Sequence, residues 1–529
     1  IASGMEVKGC SFTGLNYGVY FGINGSKTYN ASIIGSTFTS CLNGIVNLGR
    51  ASVFINDNRF EMDDDIPTQS PAPQVGIYLY SSILGQTIEQ NAFVRSNEYS
   101  RYSIGVLAGY TGSYYNRINE NTFTGLDMGT ETYGKNGELI EKYVSGLTYT
   151  CNEFADITDY DFYIKYPNNG LYGMNPIQSN PGLLVTTPYH YGAQNIFSYS
   201  GFDMNRHDFD NKNVDKPIKY YFKTESGTRY EPYFFTPVGV EKIEINQTKA
   251  CPTSSFFNKS YSELSNEINT AKYELDLIGI ALESETDSLI IDSLQKNAAY
   301  YSFVLQTSGA DLIEVLDSNQ APLDTIIHWL DRIDLLGADL MIAERLADAG
   351  LITDAKDKLD DILIGYDLTT EEEDDILELK DIYDLPEYNN PDSISSININ
   401  GLRSLIFHGP LTSGVARTIL GIKGEFYDLP YFFVGDTILP RKSKVENNYK
   451  DIKLYPNPTS GVVTLIVEKE NEHSTIWIYD MFGNQLLRQK LNIGKNLINI
   501  DKSNTGIVIY NIFNEQGKMI KSGKLITIK

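Results

Sequence analysis

The chain has 529 residues and carries 43 Lys+Arg against 68 Asp+Glu, a formal charge of −25 at pH 7. A field of that sign disfavours nucleic acid and anionic lipid and leaves cations or neutral glycans as natural partners; no stretch reaches the ~18 apolar residues of a membrane span. The length asks for three or four domains, and 37 Tyr with 43 Gly lean towards β architecture outside the cytoplasm.

The first 252 residues repeat a short frame. Phe12, Phe38, Phe60, Phe93, Phe123 and Phe154 are separated by 26, 22, 33, 30 and 31 residues, and periods of this size signal a solenoid. Five residues before each Phe stand Val7, Ile33, Ile55, Ile88, Ile118 and Tyr149. Two before it stand Cys10, Ser36, Asn58, Asn91, Asn121 and Asn152. Gly18, Gly44, Gly76 and Gly105 each lead a further apolar run, and Asn195-Ile196-Phe197 reads as a weaker seventh copy. Uniform columns of this kind predict a right-handed parallel β-helix over 1–252, because successive coils set equivalent residues above one another. Phe fills the bore, Ile and Val suit the pleat, and Asn is expected at the bend in the left-handed conformation. The 22-residue spacing leaves room for three short strands per coil, and longer spacings must loop out. The competing arrangement is an antiparallel sandwich with coincidental Phe spacing. Residues 199–252 read as a cap, with strands near Ile218–Phe222 and Val240–Ile245.

Four cysteines, Cys10, Cys41, Cys151 and Cys251, have no CxxC spacing and no neighbouring His, so zinc is not expected and free buried thiols are the expected state. Asp63-Asp64-Asp65 offers the hard oxygens calcium takes, yet the consecutive carboxylates lack a basic partner and read as a solvated loop, so no cofactor is assigned. Asp156, Asp159 and Asp161 form a second acidic cluster without an evident base.

From Tyr261 the period becomes helical. Leu264, Ile268, Ala271, Leu275, Ile278 and Leu282 form one stripe, and Ile290, Leu294 and Ala298 begin another. Two short helices are expected on either side of Gly350, and Thr369-Thr370-Glu371-Glu372 opens a further one ending near Pro386. Residues 258–386 thus read as an α-helical segment, either a tetratricopeptide-like hairpin array or a plain bundle packed on the β-helix end, and serve as a spacer; 387–448 read as helical remainder and linker.

The last eighty residues alternate as a small all-β sandwich. Val463, Leu465 and Val467 share a face, Ile476 and Ile478 lead into the Asp480–Asn484 turn, and Ile507, Ile509, Asn511 and Phe513 precede a last strand at Leu525 and Thr527. They open on Tyr455-Pro456-Asn457-Pro458-Thr459-Ser460-Gly461, turn at Tyr479-Asp480-Met481-Phe482-Gly483-Asn484, restart at Gly506 and close on Gly523-Lys524-Leu525-Ile526-Thr527-Ile528-Lys529. This order resembles the type A C-terminal sorting domain of the type IX secretion system of Bacteroidetes, over residues 449–529. The resemblance implies a partnership with that secretion machinery, export to the cell surface or medium, and removal of the domain. It marks Pro456, Asn457, Pro458, Gly461, Gly483, Gly506, Gly523, Lys524 and Lys529 as the sorting signal. The tail counts 11 Lys+Arg against 7 Asp+Glu, so it is +4 and the cargo −29. The chain begins at Ile1 without a signal peptide, which such export requires, so an upstream segment and further repeats are expected.

The chemistry of an enzyme is sought without success. Parallel β-helices include polysaccharide lyases and glycoside hydrolases, but no adjacent coils align an acidic cluster with Lys or Arg, and the five His are scattered. The positive sign is tyrosine: Tyr78, Tyr80, Tyr99, Tyr102, Tyr110, Tyr114 and Tyr115 crowd two or three coils, and aromatic faces stack on sugar rings. The sequence therefore predicts a non-catalytic adhesion surface for a glycan or surface protein, with Tyr110 and Tyr114 as candidate contacts; a lyase or hydrolase and a structural stalk are the alternatives.

Overall fold

The computed structural model describes residues 5–21, 31–48, 52–63, 72–80, 85–95, 101–112, 116–140, 143–165, 172–184, 187–198, 206–251, 259–366, 368–385, 388, 395–406, 408–425, 427, 453–455, 459, 461–467, 474–479, 485–500, 506–513 and 519–527. Two compact units result, residues 1–441 and 442–529.

The first unit begins with three sheets that pair in parallel, each taking every third strand as far as Met128–Tyr133, after which Gly137–Ile140 adds an antiparallel strand to the first. One carries Val53–Asn56, Thr87–Glu89 and Asn116–Asn119; the second Arg59–Glu61, Ala92–Val94 and Thr122–Thr124; the third Gln74–Tyr80, Ser103–Gly109 and Met128–Tyr133. Registers match the repeat columns: Ile55 pairs with Ile88 and Ile88 with Ile118, while Phe60 pairs with Phe93 and Phe93 with Phe123. The six phenylalanine rings form one file, with centroids 4.7 to 4.9 Å apart and planes within 9°. The file survives spacings of 22 to 33 residues, and in the last of them the extra strand Gly137–Ile140 pairs antiparallel with Tyr143–Thr150 at the edge of the first sheet. At the seventh copy Ile196 bridges Glu153 in parallel, but the Phe162 ring turns edge-on between Phe154 and Phe197 and ends the face-to-face stack.

The asparagine column is a buried ladder. Asn91 Oδ1 accepts from the Asn58 backbone and side-chain nitrogens, Asn121 Oδ1 does the same for Asn91, and Asn152 Oδ1 for Asn121. The left-handed residue is not the asparagine, as expected from sequence, but the one before it. Gly9, Gly35, Asp57, Gln90, Glu120, Cys151 and Gln194 all have φ between 53° and 61°. That residue turns the corner so that the following asparagine points inward and bonds the next rung.

Cys151 and Cys251 form a disulfide with Cα atoms 6.0 Å apart, correcting the expectation of free thiols; Cys10 and Cys41 are free. The two partners are 100 residues apart and meet only because the chain folds back on itself. The region read as a cap also extends the stack. His207–Asn211 joins the third sheet, and Ile218–Phe222 and Val240–Glu244 pair in parallel with each other.

Eight helices follow among the described residues: α1 (Tyr261–Ser284), α2 (Ser288–Ser318), α3 (Leu323–Ile333), α4 (Leu336–Asp348), α5 (Ile352–Gly365), α6 (Thr370–Tyr383), α7 (Ser396–Leu405) and α8 (Pro410–Ile422). The α1 stripe is buried from Leu264 to Ile278, Gly350 separates α4 from α5 with φ +80°, and Thr369 and Glu372 form the reciprocal cap of α6. Ile290, expected in a core stripe, is 47% exposed, and burial on α2 begins at Ala298. The helices pack against the β region. Ser302 Oγ of α2 accepts from Val144 N at 3.2 Å, Lys135 pairs with Glu372 of α6 at 2.9 Å, and Ser413 Oγ of α8 donates to Tyr80 OH at 3.2 Å.

The second unit comprises two antiparallel sheets, Lys453–Tyr455/Val462–Val467/Gly494–Asn499 and Gln485–Lys490/Thr475–Tyr479/Gly506–Phe513/Met519–Thr527. Val463, Leu465, Ile476, Ile478 and Leu525 are buried in its core. In the penultimate strand Val508, Tyr510 and Ile512 are buried, and the side chains of Ile507, Ile509, Asn511 and Phe513 lie outside the described ones. Both faces of that strand are largely apolar, so alternation alone does not choose between them.

Candidate functional site

The tyrosine crowd lies on the outer face of the third sheet and is largely packed away. Tyr78 and Tyr80 are buried, the Tyr78 and Tyr133 hydroxyls share a 2.6 Å hydrogen bond, and α8 reaches Tyr80 through Ser413. Asp375 of α6 anchors this contact by accepting from Leu411 N and Thr412 N at the start of α8, and burial pushes its carboxyl up to about 6. Tyr110 is half-buried with φ +52°, its ring edge-on to Tyr80 and Tyr133. Tyr99, Tyr114 and Tyr115 lie outside the described residues.

A separate cleft of about 750 Å³ opens between the first sheet, the hairpin Asn180–Tyr191 and helices α1 and α2. Its floor is made by Thr87 and Arg117, which are register partners on adjacent rungs beside the inward Ile88 and Ile118. The hairpin is fixed to α2 by His190, whose Nε2 donates to the Lys296 carbonyl and whose Nδ1 accepts from Ser179, both at 2.8 Å. Burial depresses this imidazole to about 4, so it is neutral at physiological pH. The wall is α2, which presents Tyr300, Tyr301, Asp311 and Glu314; the Tyr300 and Tyr301 rings meet edge-on at 5.1 Å.

Some lining charges are already paired: Glu267 of α1 accepts from Lys259 at 2.8 Å and Ser308 at 2.6 Å, and Arg117 meets Glu89 at 3.2 Å. The side chains of Asp311 and Glu314 make no hydrogen bond or ion pair among the described residues. Burial pushes Asp311 up to about 6; burial, then Asp311 and Asp317, pushes Glu314 up to about 7. A raised folded-state pKa stabilises fully below the ordinary carboxylate range, and that contribution is lost as pH rises through 6 to 7. Asp311→Asn with Glu314→Gln is therefore expected to leave stability unchanged near pH ~3 and to raise it near pH ~8 by roughly 1–3 kcal/mol in urea melts. An unchanged midpoint at the higher pH would mean that water already solvates both groups.

Elsewhere the acidic clusters separate. Asp161 is fully buried, accepts from Ser198 N and Oγ, and faces Arg206 at 3.4 Å, a base the sequence reading did not find. Arg95 and Asp127 form a second buried pair. Asp64 and Asp65 lie outside the described residues, and no cluster of three or more metal-ligating side chains occurs among the described ones.

In the second unit Gly461 adopts φ +112°, its N–H donating to Thr459 Oγ1 and its carbonyl accepting from Ile500 N. Gly506 starts its strand opposite Thr527, and Gly523 and Lys524 pair with Tyr510 and Ile509. Pro456, Asn457, Pro458, Gly483 and Lys529 lie outside the described residues. Residues 453–528 match the family model of the secretion system C-terminal sorting domain. No curated protein and no solved structure matches the chain. The tail is a type IX sorting domain, and the chain is a secreted, cell-surface protein.

Proposed function

We propose that the cargo is a non-catalytic glycan-binding protein of the cell surface, built on a right-handed parallel β-helix. The β-helix reading is supported by sheets that each take every third strand as far as Met128–Tyr133, and its hand by the strong preference of parallel crossovers. The observation that carries the function is the fusion of a sorting tail to a stacked scaffold in which tyrosines crowd two or three coils, the half-buried Tyr110 among them. Tyr110 and Tyr114 remain the proposed contacts. Binding is preferred to hydrolysis because Asp311 and Glu314 stand three residues apart on one helix, whereas glycoside cleavage needs two carboxyls flanking the scissile bond. Glu267, on the neighbouring helix, is held by Lys259 and Ser308.

Two outcomes test this. A variant lacking residues 453–529 is expected to remain in the periplasm while the whole chain reaches the surface, read by protease accessibility on intact cells; surface display of the truncated chain would refute the delivery role. On glycan arrays the whole chain is expected to bind, and binding that survives Tyr110→Ala/Tyr114→Ala would remove those two residues from the contact.

A further inference from the structure

We infer that the cleft between the first sheet and helices α1 and α2 is a binding site for an uncharged oligosaccharide of several sugar units. This inference rests on the glycan-binding reading and adds to it a second site, apart from Tyr110 and Tyr114, with its ligand class. Volume is the first support: about 750 Å³ lies in the range of built small-molecule sites.

The second support is charge balance. The lining holds Arg117, Lys249 and Lys259 against Glu267, Asp311 and Glu314, so the cleft is formally neutral within a strongly acidic chain. A polyanion would meet Asp311 and Glu314, and a polycation would meet Lys249 and Arg117. Either loses on one wall what it gains on the other.

The third support is the set of polar groups left open. Thr87 is only 8% exposed, lines the floor, and its hydroxyl makes no hydrogen bond among the described residues. A hydroxyl held at the cleft floor without a protein partner is open to a ligand that can supply one. The Tyr300 and Tyr301 phenols and the Asp311 and Glu314 carboxylates are likewise without hydrogen-bond partners among the described residues. Donors and acceptors thus both line the cleft together with two aromatic rings. Sugar hydroxyls both donate and accept, and sugar C–H faces lie against aromatic rings, so one ligand class answers every open group.

The scaffold gives the site its order. Thr87 and Arg117 sit on rigid adjacent rungs, and α2 is tied to the β region at Ser302 and through His190. Groups fixed this way lose little freedom on binding.

Calorimetric titration of the whole chain with xylohexaose, cellohexaose and mannohexaose tests the inference, with hexagalacturonate and a chitosan hexamer as charged probes. At least one neutral hexaose is expected to bind, and Tyr301→Ala and Asp311→Asn are each expected to weaken it roughly tenfold. Asp311→Asn also relieves a buried charge, so its loss of binding is not a loss of folding. The charged hexamers are expected to bind roughly tenfold more weakly than the best neutral one. Neutral binding that ignores both cleft variants overturns the cleft assignment and leaves the glycan-binding reading standing. Binding of a charged hexamer alone overturns the ligand class, and no binding of any glycan overturns the reading itself.

Discussion

Replacing Gly105 by alanine is expected to cost about 3 kcal/mol or more of stability, and by valine to prevent folding of the stack. A Cβ at Gly105 would stand 2.5 Å from Phe123 Cδ1, 2.6 Å from Cε1 and 2.7 Å from the Gly129 carbonyl oxygen. The same collision recurs at Gly18, Gly44, Gly76 and Gly129, each against the phenylalanine of the adjoining rung and a carbonyl of the next. Neither neighbour can give way, since the ring is locked in the aromatic file and the carbonyl belongs to the sheet. Gly401 of α7 is the control, because nothing lies within 4 Å of its added Cβ and alanine favours a helix. Urea midpoints of the two alanine variants decide the matter: equal midpoints would show that the glycine column has no packing role.

The second large effect is expected at the ladder. Asn121 is fully buried; its Oδ1 accepts from Asn91 N and Nδ2, and its Nδ2 donates to the Ile88 and Asn119 carbonyls and Asn152 Oδ1. Leucine fills the volume but strands several buried polar groups, at about 1–3 kcal/mol each, so Asn121→Leu is expected to lose roughly 3–6 kcal/mol. Serine should lose less. Ser36 already stands in this column, where its hydroxyl accepts from Cys10 N and donates to the Ile34 carbonyl. If leucine and serine prove equally costly, the ladder's hydrogen bonds are not what holds the rungs.

What the sequence disclosed and what it hid follow from the same geometry. Stacking puts like on like, so the Phe, Ile and Asn columns could be read directly from spacing. The left-handed corner escaped notice because Gly, Asp, Gln, Glu and Cys all occupy it, and only backbone conformation unites them. Glycines leading the third strand were visible, but not that each faces a phenylalanine of another strand. In the helices, the Thr369 cap and the Leu264–Ile278 stripe are local patterns and were legible; the docking of α2 and α8 on the sheets depends on surfaces far apart in sequence. The cleft was invisible for that reason, since Thr87 and Glu314 belong to one site only after α2 packs on the first sheet. The Cys151–Cys251 bridge and the Asp161–Arg206 pair are long-range in the same sense. The tail was legible because its motifs are short, ordered and close together.

Affinity electrophoresis of the whole chain through gels containing single neutral polysaccharides tests the claim of sugar binding most directly. Retardation is predicted in at least one of xylan, glucomannan or β-glucan, with mobility restored by Asp311→Asn combined with Tyr301→Ala. Unaltered migration in all of them, for a folded chain that reaches the cell surface, would contradict it.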